Sequence, residues 1–310
     1  MGGSIREDIV KFLREGGADL AGFASPETWD SRGEVAPEHR PGFLWPPVAT
    51  VITFGIQMPL PIVETTPSVQ HRDLYNTCNR LLDDLAFRLA LRLNRQGHAS
   101  VPISRDGYSR VDVLLRKPGA VFAHTYAAHY SGLGHVGINN TILTREFGPR
   151  VRFTSVFTAL KLQPDPPAGE NLCIRCGACF DLCPVSALVM SRQELKDKGK
   201  VLAHYDGKRC ALWAKALSAK GCYPCGICVK VCPVGEDRVL YGREKTASHY
   251  RKELAGIFSG SDDPLYRAWT VIRHYGSALT GDGPSAAGGL KEFFTETARS
   301  VKEGPHEREK

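Results

Sequence analysis

Apolar positions recur every three or four residues in two stretches of the chain. Ile5, Ile9, Phe12 and Leu13 share one face of residues 4–16, and Gly16-Gly17 ends that helix. Leu74, Leu81, Leu82, Leu85, Leu89 and Leu93 mark a longer helix over residues 70–96, stopped at Gly97. Between them DLAGFA reads as a short buried strand. A loop rich in Pro, Gly and charge runs on to about residue 47, and VATVITFGI (48–56) predicts a second strand. The Ala-rich residues 120–131 predict another helix, and residues 138–144 and 150–160 predict two strands around a Gly148-Pro149 turn. Helices alternating with strands over the first 160 residues predict an α/β domain. QPDPPAGE (163–170) then reads as a linker, and the chain closes on helical, basic segments and a polar tail.

Composition narrows the class. At 310 residues and 42% hydrophobic, the chain is long enough to bury a sizeable core, with roughly three-quarters of its unfolded surface removed from water. No run approaches the ~18 apolar residues of a membrane helix. The N-terminus MGGSIREDIVKFLREGG is amphipathic, without an apolar core or twin arginine, so a cytoplasmic protein is expected. A net charge of +7 permits an acidic partner and does not demand nucleic acid.

The ten cysteines change the picture most, because nine lie between Cys173 and Cys232 and only Cys78 lies outside. That clustering argues for metal and against a spread disulfide framework. Two runs share one spacing: Cys173-x2-Cys176-x2-Cys179-x3-Cys183-Pro184 and Cys222-x2-Cys225-x2-Cys228-x3-Cys232-Pro233. This is the bacterial two-cluster ferredoxin pattern, in which the fourth cysteine of each run serves the other [4Fe–4S] cluster. Zinc takes paired C-x2-C units instead. The crossed rule assigns Cys173, Cys176, Cys179 and Cys232 to cluster I, and Cys183, Cys225 and Cys228 to cluster II. The eighth ligand is Cys222 or Cys210, with local loop geometry favouring Cys222. Cys78, mid-helix among apolar residues, reads as a core filler.

Gly132-Leu133-Gly134-His135-Val136-Gly137 matches G-x-G-x-x-G, yet a helix precedes it, a strand follows it and no acid stands about twenty residues on. The glycines read better as a helix cap and tight turn than as a dinucleotide fingerprint.

The run AAHYSGLGHVGINNTILTREFGPRVRFTSVFTALKLQPDPP followed by the double cysteine motif resembles the epoxyqueuosine reductase and reductive dehalogenase superfamily. The resemblance covers roughly residues 5–240. It implies a nitroreductase-like α/β (α+β) domain holding cobalamin over residues 1–162. A two-cluster ferredoxin-like domain would follow at 163–240, and a helical extension with a polar tail at 241–310. It further implies electrons from a low-potential donor such as ferredoxin or flavodoxin, passed through both clusters to cobalt. The reaction would be reductive removal of an epoxide oxygen or halide from a small substrate. Departures are visible. His135 and Gly137-Ile138-Asn139 stand where epoxyqueuosine reductases carry Trp and Gly-Lys-Asn, and Pro118 falls where their catalytic Asp is sought. Only 78 residues follow Cys232, so a tRNA substrate is not expected. The alternatives carried forward are an electron-transfer or reductive-activation protein for another corrinoid protein, and an epoxyqueuosine reductase acting on tRNA.

Chemistry at cobalt needs a proton source. Tyr108 in the polar loop SRDGYSR, and Tyr126, His129 and Tyr130 on the helix before the Gly-Leu-Gly turn, are the candidates. Gly132, Gly134, His135, Asn139, Asn140 and Arg150 are the candidate cobalamin contacts. The basic stretch 238–252 reads as a solvated helix face.

Overall fold

The structure is a computed structural model that describes residues 4–107, 111–116, 119–169, 171–191, 193–194, 202–259 and 299. Tyr108, residue 118 and the tail lie outside the described residues.

Four strands make the central sheet: β1 (Leu20–Ala24), β2 (Thr50–Gln57), β3 (Ser100–Ile103) and β6 (Val151–Thr158). Their order is β1-β2-β6-β3, and every pair is antiparallel. The α+β half of the fold expectation therefore describes this sheet. Two shorter strands, β4 (His135–Val136) and β5 (Ile142–Leu143), pair with each other away from it. The two strands expected around Gly148-Pro149 thus belong to different sheets. Gly148 makes a single antiparallel bridge with Thr144 and hands the chain on to β6.

β2 and β6 are buried along almost their whole length because helices cover both faces. One face carries Ile52, Phe54 and Val156 against α1 (Ile5–Glu15) and α5 (Val69–Arg95). The other carries Val51 and Phe157 against Trp29 of α2 (Glu27–Arg32) and Ala127 and Tyr130 of α7 (His124–Tyr130). Short helices α3 (Pro41–Leu44), α4 (Leu60–Val63) and α6 (Val111–Arg116) fill the connections.

Local chemistry fixes the helix ends. Ser4 caps α1 in a capping box: its hydroxyl accepts from Glu7 N–H at 3.3 Å, and the Glu7 carboxylate accepts from Ser4 N–H at 2.8 Å. Ser68 caps α5 by accepting from His71 N–H at 3.0 Å. Along α5 the buried stripe is Cys78, Leu82, Leu85, Leu89 and Leu93, while Leu81, one position off the stripe, is 49% exposed. Cys78 packs in this core at 3% exposure.

The cysteine-bearing half is built from short pieces. Helices α8 (Ala178–Asp181) and α10 (Ile227–Lys230) follow the two loops, each preceded by a glycine with positive φ, Gly177 and Gly226. Ala178, Ile227 and Val231 pack together with Tyr250 of α12 (Thr246–Ser259), so the repeated motif is also a repeated structure. β7 (Leu188–Val189) pairs with β8 (His204–Tyr205), after which α9 (Gly207–Ala219) crosses the module and α11 (Glu236–Leu240) follows the second run.

A polar row lies inside the sheet. His124 Nδ1 sits 3.0 Å from Ser155 Oγ and Nε2 sits 2.9 Å from the Ser104 carbonyl. Burial lowers the His124 pKa from 6.5 to about 4, partly opposed by the Ser104 carbonyl. The folded chain therefore keeps this ring neutral where the unfolded chain protonates it. Stability contributed by neutral His124 is complete above pH 6.5 and is lost as pH falls toward 4. Chemical denaturation from pH 7 to pH 4.5 should show a falling midpoint, and His124→Gln should flatten that slope.

Candidate functional site

Two cavities each carry four cysteines. The first is lined by Cys173, Cys176, Cys179 and Cys232, with Ile138, Leu143 and Ile174. The second is lined by Cys183, Cys210, Cys225 and Cys228 and reaches Asn139, Asn140, Thr141, Tyr223 and Ala120 across about 430 Å³. In each, one cysteine comes from the other motif: Cys232 joins the first loop and Cys183 joins the second. Among the described residues no three His, Cys, Asp or Glu side chains stand close enough to hold a single metal ion. Thiols spread around a cavity suit a larger iron–sulfur cube, whose irons each take one thiolate.

The thiols of both cavities raise one another. Burial pushes Cys179 up, and the charges of Cys228, Cys232, Cys176 and Cys173 add to the push. Burial pushes Cys228 up to about 12, with Cys210 and Cys183 bearing on it next. Cys225 is also raised by burial, and the charges of Cys210 and Cys228 add to that shift. The Ala187 N–H stands 3.3 Å from Cys183 Sγ, the kind of donor that supports a cluster sulfur.

Cys222 lines neither cavity, although Cys183, Cys210 and Cys225 pack against its apolar cluster. It is wholly buried with Val185, Ala187, Trp213 and Leu217, and its thiol points to the Lys220 carbonyl at 3.5 Å. Its N–H closes the end of α9 on the Leu217 carbonyl at 2.9 Å. Beside the expectation that loop geometry favours Cys222 stands a cavity lining that includes Cys210, carried by α9, while Cys222 is turned into the core. The sequence signal was a ninth cysteine on a helical segment, and spacing alone ranked it second.

Buried ion pairs tie the sheet to the cysteine module. Arg150, just before β6, gives Nε to Asp237 Oδ2 at 2.7 Å and Nη2 to Asp237 Oδ1 at 2.5 Å. The same guanidinium reaches the Val234 carbonyl at 2.7 Å and the Cys232 carbonyl at 3.4 Å. Arg238 gives Nη1 to Glu64 Oε1 at 2.8 Å and Nε to the Cys232 carbonyl at 3.1 Å. Close backbone approach makes this possible. A Cβ on Gly148 would stand 1.9 Å from the Val234 carbonyl, and one on Gly235 would stand 2.3 Å from Arg150 Nη2. Sequence reasoning found Arg150 but missed Asp237, Glu64 and Arg238. The basic stretch beginning at Arg238 is not simply a solvated face: Arg238 is fully buried, and Arg243 pairs with Glu64 at 2.9 Å.

The remaining predicted residues fall into separate places. Arg150 is committed to Asp237 and leaves no face for a cofactor, which corrects its expected role as a cobalamin contact. Gly132 and Gly134 lie against backbone: a Cβ would meet the Pro166 carbonyl at 2.7 Å and the Leu143 carbonyl at 2.3 Å respectively. His135 Nδ1 lies 3.0 Å from the Val136 carbonyl, and its ring lies edge-on to His129 at 5.1 Å. The Leu133 N–H meets the Ala128 carbonyl at 2.9 Å, so the Gly-Leu-Gly turn ends α7 as a helix cap does. Tyr130 is fully buried against Trp29 and donates to Glu34 at 2.6 Å; burial and that carboxylate push its pKa up. Burial lowers His129, partly opposed by the Gly134 carbonyl, and raises Tyr126. None of Tyr126, His129 and Tyr130 lines either cysteine cavity. Asn139 and Asn140 do face the second cavity; Asn139 Nδ2 points to the Cys228 carbonyl at 3.5 Å.

Residues 172–235 match the model of the 4Fe-4S double cluster binding domain, so the chain carries an iron–sulfur module. Its sequence relatives are reductive dehalogenases and epoxyqueuosine reductases. It is 28% identical over 240 residues to a tetrachloroethene reductive dehalogenase of Desulfitobacterium hafniense, covering 73% of this chain and 38% of that one. It is 22% identical over 249 residues to an epoxyqueuosine reductase of Bacillus cereus, covering 74% and 64%. In fold it is similar to a catabolic reductive dehalogenase solved with 3-bromo-4-hydroxybenzoic acid, with TM-score 0.58 and 20% identity over 85% of this chain and 37% of that one. It is also similar to an epoxyqueuosine reductase, with TM-score 0.50 and 16% identity over 96% and 98%. The chain spans about two-fifths of the dehalogenases it matches by sequence. Among the described residues no helix is long and apolar enough to cross a membrane.

The Arg150–Asp237 pair generates a stability prediction. Asp237→Ala leaves a buried guanidinium without its carboxylate and should cost about 3–5 kcal/mol. Denaturant unfolding of the anaerobically purified protein measures it.

Proposed function

We propose that this chain is an iron–sulfur reductase with two [4Fe–4S] clusters. Cys173, Cys176, Cys179 and Cys232 hold one, and Cys183, Cys210, Cys225 and Cys228 hold the other. The observation that carries this reading is the pair of crossed four-cysteine cavities. Thiolates supply the soft donors that iron–sulfur clusters need. Cys176 is exposed, so electrons from a ferredoxin- or flavodoxin-class donor enter at the first cluster. The second cluster borders the larger cavity, where the electrons are used.

That cavity lies within the roughly 300–1,000 Å³ range of small-molecule sites and exceeds what a cube alone requires. One solved dehalogenase structure is described in terms of B12-dependent dehalogenation, which supports a corrinoid as the acceptor. The amides at the cavity edge suit its amide fringe: Asn139 and Asn140 would hold it, and the Thr141 hydroxyl orients Asn139 by donating to its Oδ1 at 2.8 Å. When bound, a corrinoid supplies a cobalt centre that can pass electrons to a carbon–halogen or carbon–oxygen bond. The residues of this chain exclude water with Trp213, Leu188 and Ile227 and orient the acceptor with the two asparagines. Reductive removal of a leaving group from a small substrate is the reaction class these features support. The same reading divides the chain into a substrate and acceptor domain over residues 1–162, the cluster module over 163–240 and a helical extension.

The test is anaerobic reconstitution followed by iron and sulfide counting. Cys210→Ala should lose one cluster's worth of iron, and Cys222→Ala should keep both clusters. The reverse result would move the ligand assignment to Cys222. Titrating the loaded protein with hydroxocobalamin should give one tight site per chain, weakened at least tenfold in an Asn139→Ala/Asn140→Ala variant. Absence of stoichiometric binding would remove the corrinoid from the account and favour electron delivery to another protein.

A further inference from the structure

The two cysteine quartets sit in different electrostatic surroundings. At the first, two guanidinium groups converge on one peptide carbonyl, that of Cys232. Arg238 Nε donates to it at 3.1 Å and Arg150 Nη1 at 3.4 Å. Their side chains are 1% and 0% exposed. Arg238 also donates to the Lys230 carbonyl through Nη2, which locks its plane. Asp237 accepts from Nε and Nη2 of Arg150, Glu64 accepts from Nη1 of Arg238, and Arg243 adds a second cation to Glu64 at 2.9 Å. In both ion pairs it is the guanidinium, and not the carboxylate, that contacts the Cys232 carbonyl. At the second quartet, among the described residues, the side-chain donors that reach ligand carbonyls are neutral, the Thr66 hydroxyl on Cys225 and the Asn139 amide on Cys228, and the buried cation on the same helix as Cys228, Lys230, is paired with Glu253 at 2.7 Å.

Reducing a four-thiolate cube adds one negative charge to a site that is already negative. A buried cation a few ångströms away favours the reduced form, and little water is present to screen it. Cluster potentials respond to net charge and to hydrogen bonds around the ligands.

Resting on the reading that both quartets hold [4Fe–4S] clusters, we propose that Arg238, assisted by Arg150, sets the reduction potential of the cluster on Cys173, Cys176, Cys179 and Cys232 above that of its neighbour. Arg238 is a positioning residue here: it touches a ligand's backbone and no reacting atom. The consequence is an order of filling. One electron leaves the external donor, which is oxidised by one electron, and reduces the cluster beside exposed Cys176. That cluster stays loaded while its lower-potential neighbour delivers electrons onward to the cavity. The chain then accepts electrons one at a time from a one-electron donor and keeps one in store.

The test is a potentiometric titration of the full chain, reconstituted anaerobically and followed by electron paramagnetic resonance. Arg238→Met removes a cation while Glu64 keeps Arg243. It should lower the potential of one cluster by at least a tenfold change in the reduction equilibrium, 59 mV for a one-electron couple. Glu64→Gln removes a carboxylate and should raise the same cluster's potential. Arg238→Lys should stay within half of the Arg238→Met shift, and the second cluster should not move. Opposite shifts from opposite charge changes are not produced by loosened packing. Loaded variants with unchanged potentials, or with both clusters shifted together, would overturn the proposal. If Arg238→Met fails to load, the sign of the Glu64→Gln shift decides. Wild-type protein that binds fewer than two clusters would overturn the underlying reading, and iron content reports that before any potential is measured.

Discussion

The buried bond between Arg150 and Asp237 is the constraint on which the arrangement of sheet and cysteines depends. It joins the residue that leads into β6 with the helix that follows the second cysteine run. Both partners are nearly inaccessible to water. Burying two charges is unfavourable unless geometry and further hydrogen bonds compensate, and here the guanidinium satisfies a bidentate carboxylate and two carbonyls at once. The contact also fixes Cys232, because its own carbonyl and that of Val234 are among the acceptors. Cys232, from the second motif, is thereby held beside the three cysteines of the first loop. Glycines at 148 and 235 let the two backbones come close enough for this to happen.

The repeated motif folds as a repeat for a simple reason. Each run places two cysteines before a glycine of positive φ and the third in the single helical turn that follows it, with the fourth cysteine beyond. The two helices share an apolar contact through Ala178, Ile227 and Val231. Packing the helices side by side sends each fourth cysteine toward the other loop. The symmetry breaks at one point. Cys173 opens the first quartet, but its counterpart by spacing, Cys222, is turned inward to close α9, and Cys210 lines the second cavity instead.

Much of this was legible in the sequence. Periodicity located α1 and α5, Ala-rich composition located α7, and short apolar runs located the cores of β1, β2 and β6. The cysteine runs located the cluster module. What was not legible depended on contacts between distant segments. Antiparallel pairing of β6 between β2 and β3 is set by chain crossings that local pattern does not encode. Glu64, Asp237 and Arg238 look like surface charges in one dimension, and only the fold shows that they bury one another. Leu81 fits the helical count on α5 but falls just outside its buried stripe. The choice between Cys210 and Cys222 turned on which way one loop faces, and spacing carries no information about that. The proton donor also resisted reading: Tyr126, His129 and Tyr130 are packed away from both cavities, and Tyr108 lies outside the described residues.

The central claim is that two four-iron clusters sit in crossed quartets, with Cys210 and not Cys222 completing the second. Anomalous diffraction at the iron edge from crystals of the anaerobically reconstituted protein tests it most directly. The account predicts two separate four-iron peaks, one bounded by Cys173, Cys176, Cys179 and Cys232 and the other by Cys183, Cys210, Cys225 and Cys228. A single metal ion at either quartet, or iron bonded to Cys222 with Cys210 turned away, would contradict it.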